Sequence, residues 1–220
     1  MSDRRTEILR AATRVIARRG VRGLRVGELA AEAGVSTSLI YYHFTDRAGL
    51  LRRTLDFISD RADHYTAEPD PAPRTEDPRA DLEQVLLLEL QDTVDVRENS
   101  IAWGELRATA VFEPDLREDL ARTTHTWVHD VAELLARADP GGTAPAHAAA
   151  AERLTALVEG LSVRWHSGSL PVAHARLLLR GAIEAELDRH RPAGRGGDTG
   201  PAAVVGAIAG AGSGAGFGRS

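Results

Sequence analysis

Apolar side chains recur at three- and four-residue spacing along nearly the whole chain up to about His190, and no alternating run bounded by turn residues interrupts them. That spacing gives each of a series of helices one apolar stripe and leaves no period-two surface from which to build a sheet. The chain is therefore expected to be all-α, with about nine helices, and glycine and proline mark where they stop. The first helix is predicted from about Thr6 to Arg19, with Ile8, Ala12, Val15 and Ile16 on one face and Gly20 and Gly23 ending it. A short second helix covers about Val26 to Ala33, where Gly34 suits a left-handed cap. Ser36 caps a third, Thr37 to His43, and Thr45-Asp46 opens a fourth that runs to about His64 with Leu50, Leu51, Leu55 and Ile58 inward.

The segment Glu68 to Pro78 holds four prolines and is predicted to be a loop. Further helices are expected at about Arg79–Asp95, Glu98–Phe112, Asp115–Ala138, Pro145–His166 and Val172–His190. Beyond Pro192 the chain is Gly/Ala-rich with almost no large side chains, too little apolar surface to offset its ordering entropy. The expected organisation is a helix-turn-helix unit at residues 1–50, a larger helical domain at 51–191 and a disordered tail at 192–220.

Charge divides the chain the same way. All 27 basic residues are arginine; residues 1–53 carry 11 of them against 5 acidic residues, while the remainder carries 16 against 27. A basic end on an acidic body attracts phosphate locally while the body resists coating nucleic acid. Cysteine is absent, which excludes disulfides and thiolate metal sites. The opening MSDRRTE lacks an apolar core for a secretory signal, and no run reaches the ~20 apolar residues of a membrane span. A cytoplasmic protein without a membrane partner is expected.

The most informative stretch is Leu29 to Leu51, two short helices joined by a tight glycine turn, the arrangement whose second helix enters the major groove. On a helical wheel Ile40 and Phe44 fall on the side that packs against Leu29, Ala33 and Val35, with Ser38 and Tyr42 opposite and Thr37 and Tyr41 on one flank. An outward face of hydroxyls and tyrosines can hydrogen-bond base edges or phosphates and touch thymine methyls.

Residues 6–55 resemble the DNA-binding domain of the TetR (tetracycline-repressor-like) family. The resemblance lies in Ile8-Leu9-x-x-Ala12, Arg19-Gly20, Val26-Gly27-Glu28-Leu29-Ala30, Ala33-Gly34-Val35-Ser36 and Ile40-Tyr41-Tyr42-His43-Phe44-x-x-Arg47. It implies a homodimer on double-stranded DNA with a palindromic operator, with Thr37, Ser38 and Tyr42 facing bases, Tyr41, His43 and Arg47 holding phosphates, and Ser36 among the DNA-binding residues. Arg47 stands where the family usually has lysine. Arg25 stands where it usually has the threonine that caps the second helix; the loss of that oxygen costs about 1 kcal/mol, and Arg25 is taken as a further phosphate contact.

In the second domain the resemblance implies a small-molecule cavity. Trp103, Trp127 and Trp165, with Phe112, are the aromatic candidates to line it, and Trp103 and Arg107 share a face that would set an aromatic beside a cation. His125 and His129 are four apart, but two ligands do not make a metal site, so neither metal nor cofactor is expected. Leu154, Leu157, Val158, Leu161 and Trp165 form one stripe and Leu177, Leu178, Leu179, Ile183 and Leu187 a broad second one. A helix apolar over so wide an arc must bury two faces, and Leu157, Leu161, Leu178 and Ile183 are assigned to a dimer interface. The expected function is a regulator, a repressor released by an effector, with the sign of regulation open. The competing class is a helical enzyme or binding protein that no longer binds DNA; no nucleophile–base pair, phosphate loop or three-ligand metal set supports it.

Overall fold

The computed structural model describes residues 3–66 and 77–189, and among them are nine α-helices and no strand. Most of Glu68–Pro78 and all of the 192–220 tail lie outside the described residues. Helix α1 spans Arg4–Arg19, and a single 3-10 turn at Val21–Gly23 leads to α2 at Val26–Ala33 and α3 at Thr37–His43. Then come α4 at Arg47–Thr66, α5 at Pro78–Leu88, α6 at Val94–Ala110, α7 at Arg117–Ala138, α8 at Ala144–His166 and α9 at Val172–Asp188.

The local signals explain most boundaries. Gly34 adopts φ 64°, ψ 36°, the left-handed cap predicted for it, and Ser36 Oγ accepts the amide of Leu39 at 3.2 Å to start α3. Asp46 does the same for α4, its Oδ1 accepting Gly49 N–H at 2.6 Å. Arg25 is the N-cap of α2 and makes no side-chain cap hydrogen bond. One expectation fails: the helix predicted to run from Arg79 to Asp95 stops at Leu88, and the next begins at Val94 rather than Glu98. The cause is Thr93, whose hydroxyl accepts Val96 N–H at 3.4 Å and caps a new helix inside what periodicity treated as one.

Two apolar cores result, and they do not divide at residue 50. The first joins Ile8, Ile16, Leu29, Ile40, Phe44 and Leu51 to Leu55 and Ile58 of α4 and to Ala102, Leu106 and Ala110 of α6. The second joins Leu82 and Leu86 of α5, Val131 and Leu135 of α7, Leu154, Val158, Leu161 and Trp165 of α8, and Leu179, Ile183 and Leu187 of α9. Polar ties fix α9: Arg153 grips the buried Glu186 carboxylate with bonds of 2.8 and 2.6 Å, and Arg176 Nη1 donates to the carbonyls of Leu87 and Leu90 at the end of α5. A cation on a helix C-terminus is favourable twice, through hydrogen bonds and through the dipole. No helix among the described residues is long and apolar enough to cross a membrane.

Candidate nucleic-acid interface and effector cavity

Helix α3 is anchored from below. Ile40 is 2% exposed and Phe44 is buried beside it, while Thr37, Ser38, Tyr41 and Tyr42 face outward, Tyr42 at 82%. A tyrosine so exposed contributes little to folding, and its ring meets that of half-buried His43 edge-to-face, 5.2 Å between centroids. Ser36 uses an Oγ lone pair as a cap, which leaves its hydroxyl proton to donate. Arg25 is exposed.

Many of the N-terminal arginines serve the fold. Arg14 and Arg18 both bind Glu32, Arg14 at 2.7 Å, and Arg19 binds Glu28, which rivets α1 to α2. The Arg14 hydrogen bond, with that of Arg18, holds the Glu32 carboxyl below the usual carboxylate range despite partial desolvation. Arg47 is also engaged, its Nη1 donating to Glu113 at 3.1 Å and its Nη2 to the carbonyl of Val21 at 3.0 Å.

A cavity of about 530 Å³ opens between α4, α6, α7 and α8. Trp103, Trp127, Ile58 and Val158 supply its apolar wall; Asn99, Glu105, Arg107, Glu159 and His166 supply its polar groups, and Glu89 at the end of α5 also reaches it. Arg107 pairs with Glu159, donates to Thr124 at 2.9 Å and lies 5.7 Å from the Trp103 ring, whose Nε1 donates to Glu159 at 3.2 Å. The Trp103–Arg107 face predicted from spacing is therefore built as an aromatic–cation pair. Behind it lies a second cleft of about 660 Å³ that shares Arg107, Val111 and Glu159, so the Arg107–Glu159 pair stands as a partition between the two. His166 bonds Ser100 Oγ at 2.9 Å, and burial, helped by Arg97, pushes its pKa down to about 4. Three buried polar atoms of lining residues, Asn99 Oδ1, Arg107 Nε and His166 Nδ1, have no hydrogen-bond partner.

Two of the five residues expected at the cavity sit elsewhere. Phe112 lies just past the end of α6 and is 81% exposed, and Trp165 is packed in the second core with its ring against His166. Helical spacing could not separate core from lining here, since both demand an apolar face. The residues expected at a dimer interface divide likewise. Leu161 and Ile183 are buried within their own chain, Leu157 is half-buried, and Leu178 is 43% exposed beside Leu177 at 63%. The two histidines four apart on α7 differ in surroundings: His125 lines the second cleft and His129 faces Glu133 at 3.3 Å.

The family model for bacterial regulatory proteins of the tetR family matches residues 8–54, and that for the C-terminal domain of BetI-type transcriptional repressors matches 78–188. The chain belongs to the TetR family. It is 30% identical over 173 residues to the HTH-type transcriptional regulator BetI of Burkholderia thailandensis, a match covering 76% of this chain and 82% of that protein. A TetR-family regulator from Rhodococcus sp. is 45% identical, covers 85% of this chain and 100% of its own, and superposes with a TM-score of 0.76. A transcriptional regulator from Saccharomonospora viridis, solved in complex with choline, is 27% identical, covers 82% of this chain and 95% of its own, and has a TM-score of 0.70. These relatives are transcriptional regulators, and as a TetR-family member this chain is a helix-turn-helix transcriptional regulator of BetI-like type. Its cavity also draws on residues that the sequence did not reveal as lining. Glu159 meets Arg107 across 52 positions with no local signal. Asn99 did leave one: it sits on the buried stripe Val96, Ala102, Leu106, where a polar residue is out of place unless something is bonded to it.

Proposed function

We propose that the protein is a repressor that binds a palindromic operator as a homodimer and is released by a small-molecule effector. The observation that carries the DNA half is the exposure of Tyr42, Ser38 and Thr37 on a helix held by Ile40 and Phe44. In this reading those three read bases, and Ser36, Tyr41, His43, Arg25 and Arg47 hold phosphates. Two recognition helices one DNA turn apart, ~34–36 Å, match a two-fold site. The dimer surface is the exposed side of α8 and α9 around Leu177 and Leu178, with Leu161 and Ile183 supporting it from inside.

The effector enters the 530 Å³ cavity. Trp103 and Trp127 faces, with Glu89, Glu105 and Glu159 against the one guanidinium of Arg107, suit an amphipathic organic cation, and choline bound to the Saccharomonospora viridis relative agrees with that class. An occupant that fits better when the recognition helices are differently spaced shifts the population off the operator.

Selection of duplexes from a random pool tests the first half: the expected product is a palindrome whose retention falls steeply with salt. Recovery of no preferred sequence overturns it. Thermal shift with choline and with its uncharged carbon isostere tests the second. Choline is expected to raise the melting temperature and the isostere to do so less; equal shifts, or none, remove the cation assignment.

A further inference from the structure

Two carboxylates at the α6 end of the sensor hold the same residue of the reading head. Glu105, on the cavity wall, accepts Val21 N–H at 3.1 Å through Oε2. It approaches so closely because Gly20, at φ 68°, has no side chain; a Cβ there would lie 2.7 Å from Oε2. Glu113, three residues beyond α6, bonds Arg47, and Arg47 in turn bonds Val21 C=O. The amides of Phe112 and Glu113 both close on Thr109 C=O at 2.9 Å, so the position of Glu113 follows the end of α6. Both peptide groups of Val21 are therefore held by α6, one directly and one through the guanidinium.

We propose that Glu113 and a DNA phosphate compete for Arg47, and that the position of α6 sets how much of this cation the operator receives. The inference rests on reading the start of α4 as part of the DNA surface. The Arg47–Glu113 pair is about two-fifths exposed on both sides, 43% and 39%. A pair so wet is weak enough for phosphate to displace, so it graduates affinity rather than abolishing it. An occupant that draws α6 toward the cavity carries Glu113 with it and changes the grip without touching α3.

The test is a double-mutant cycle in DNA binding at fixed salt, using wild type, Glu113→Gln, Arg47→Gln and the double variant on the duplex the wild type selects. Glu113→Gln is expected to tighten binding about two- to fivefold where Arg47 is present, and to change nothing in the Arg47→Gln background. Glu118→Gln, which removes an exposed acid of α7, is expected to leave affinity unchanged. An equal gain with and without Arg47 would mean bulk charge and overturn the competition, as would no gain with Arg47 present. Failure of the wild type to retain any duplex is a different result: it removes the DNA surface itself, and this inference with it.

Discussion

Tyr42 and Ile40 sit two residues apart on one short helix, one facing solvent and the other buried beneath it. Tyr42→Ala removes a ring that is 82% exposed, so stability is expected to stay within about 0.5 kcal/mol while specific DNA binding falls and base preference blurs. Ile40→Ala empties a fully packed site and is expected to cost about 2–5 kcal/mol, with DNA binding lost because α3 no longer sits on its support. Denaturant melts paired with gel shifts read both; a Tyr42 variant that footprints like the parent sinks the base-contact role. His166 supplies a pH signature. Its folded pKa of about 4 lies below the ordinary 6.5, so between those values the unfolded chain binds a proton that the folded one refuses. Its contribution to stability is full above pH 6.5, shrinks as pH falls through that window and levels off below about 4. Facing it are Arg97, which opposes protonation, and Asp92, which favours it. His166→Gln is expected to flatten the melting-temperature profile between pH 4 and 6.5, and an unchanged profile would place the titration elsewhere.

At the scale of elements, polar side chains of one helix tie it to another. Arg176 of α9 caps the last carbonyls of α5, Arg153 of α8 is latched to buried Glu186 of α9, and Asn99 of α6 donates to Ile58 C=O of α4 at 3.1 Å. Arg176→Ala is expected to cost about 1–2 kcal/mol and to speed amide exchange at the end of α5 before that of α8; uniform exchange would mean that the cap acts only through global stability. The Asn99 bond and the shared core tie α4 to α6. Along the chain, α4 joins the N-terminal helix-turn-helix unit to the helices that follow. Packing adds α6, whose buried stripe lies in the head's own core.

For the whole molecule, the surface left apolar after folding is what a second copy would cover. Leu177 and Leu178 lie exposed on α9, and Val163 at the end of α8 is 60% exposed. Leu178→Asp is expected to leave the subunit folded, to shift sedimentation toward the monomer and to weaken operator binding strongly, since two half-sites then bind separately. A variant that sediments like the parent would move the interface to another face.

Sequence alone determined the helical class, the Gly34 and Ser36 signals around the turn, and the outward face of α3, because each of these depends on residues within one or two turns of each other. Even the Trp103–Arg107 contact follows from a four-residue step. Tertiary structure decided the rest: which tryptophans line a cavity and which fill a core, that Leu161 and Ile183 face inward, and that Arg47 answers to Glu113, 66 residues away. Spacing reports that a face is apolar or charged. What that face meets depends on the packing of distant helices, and no local pattern encodes it.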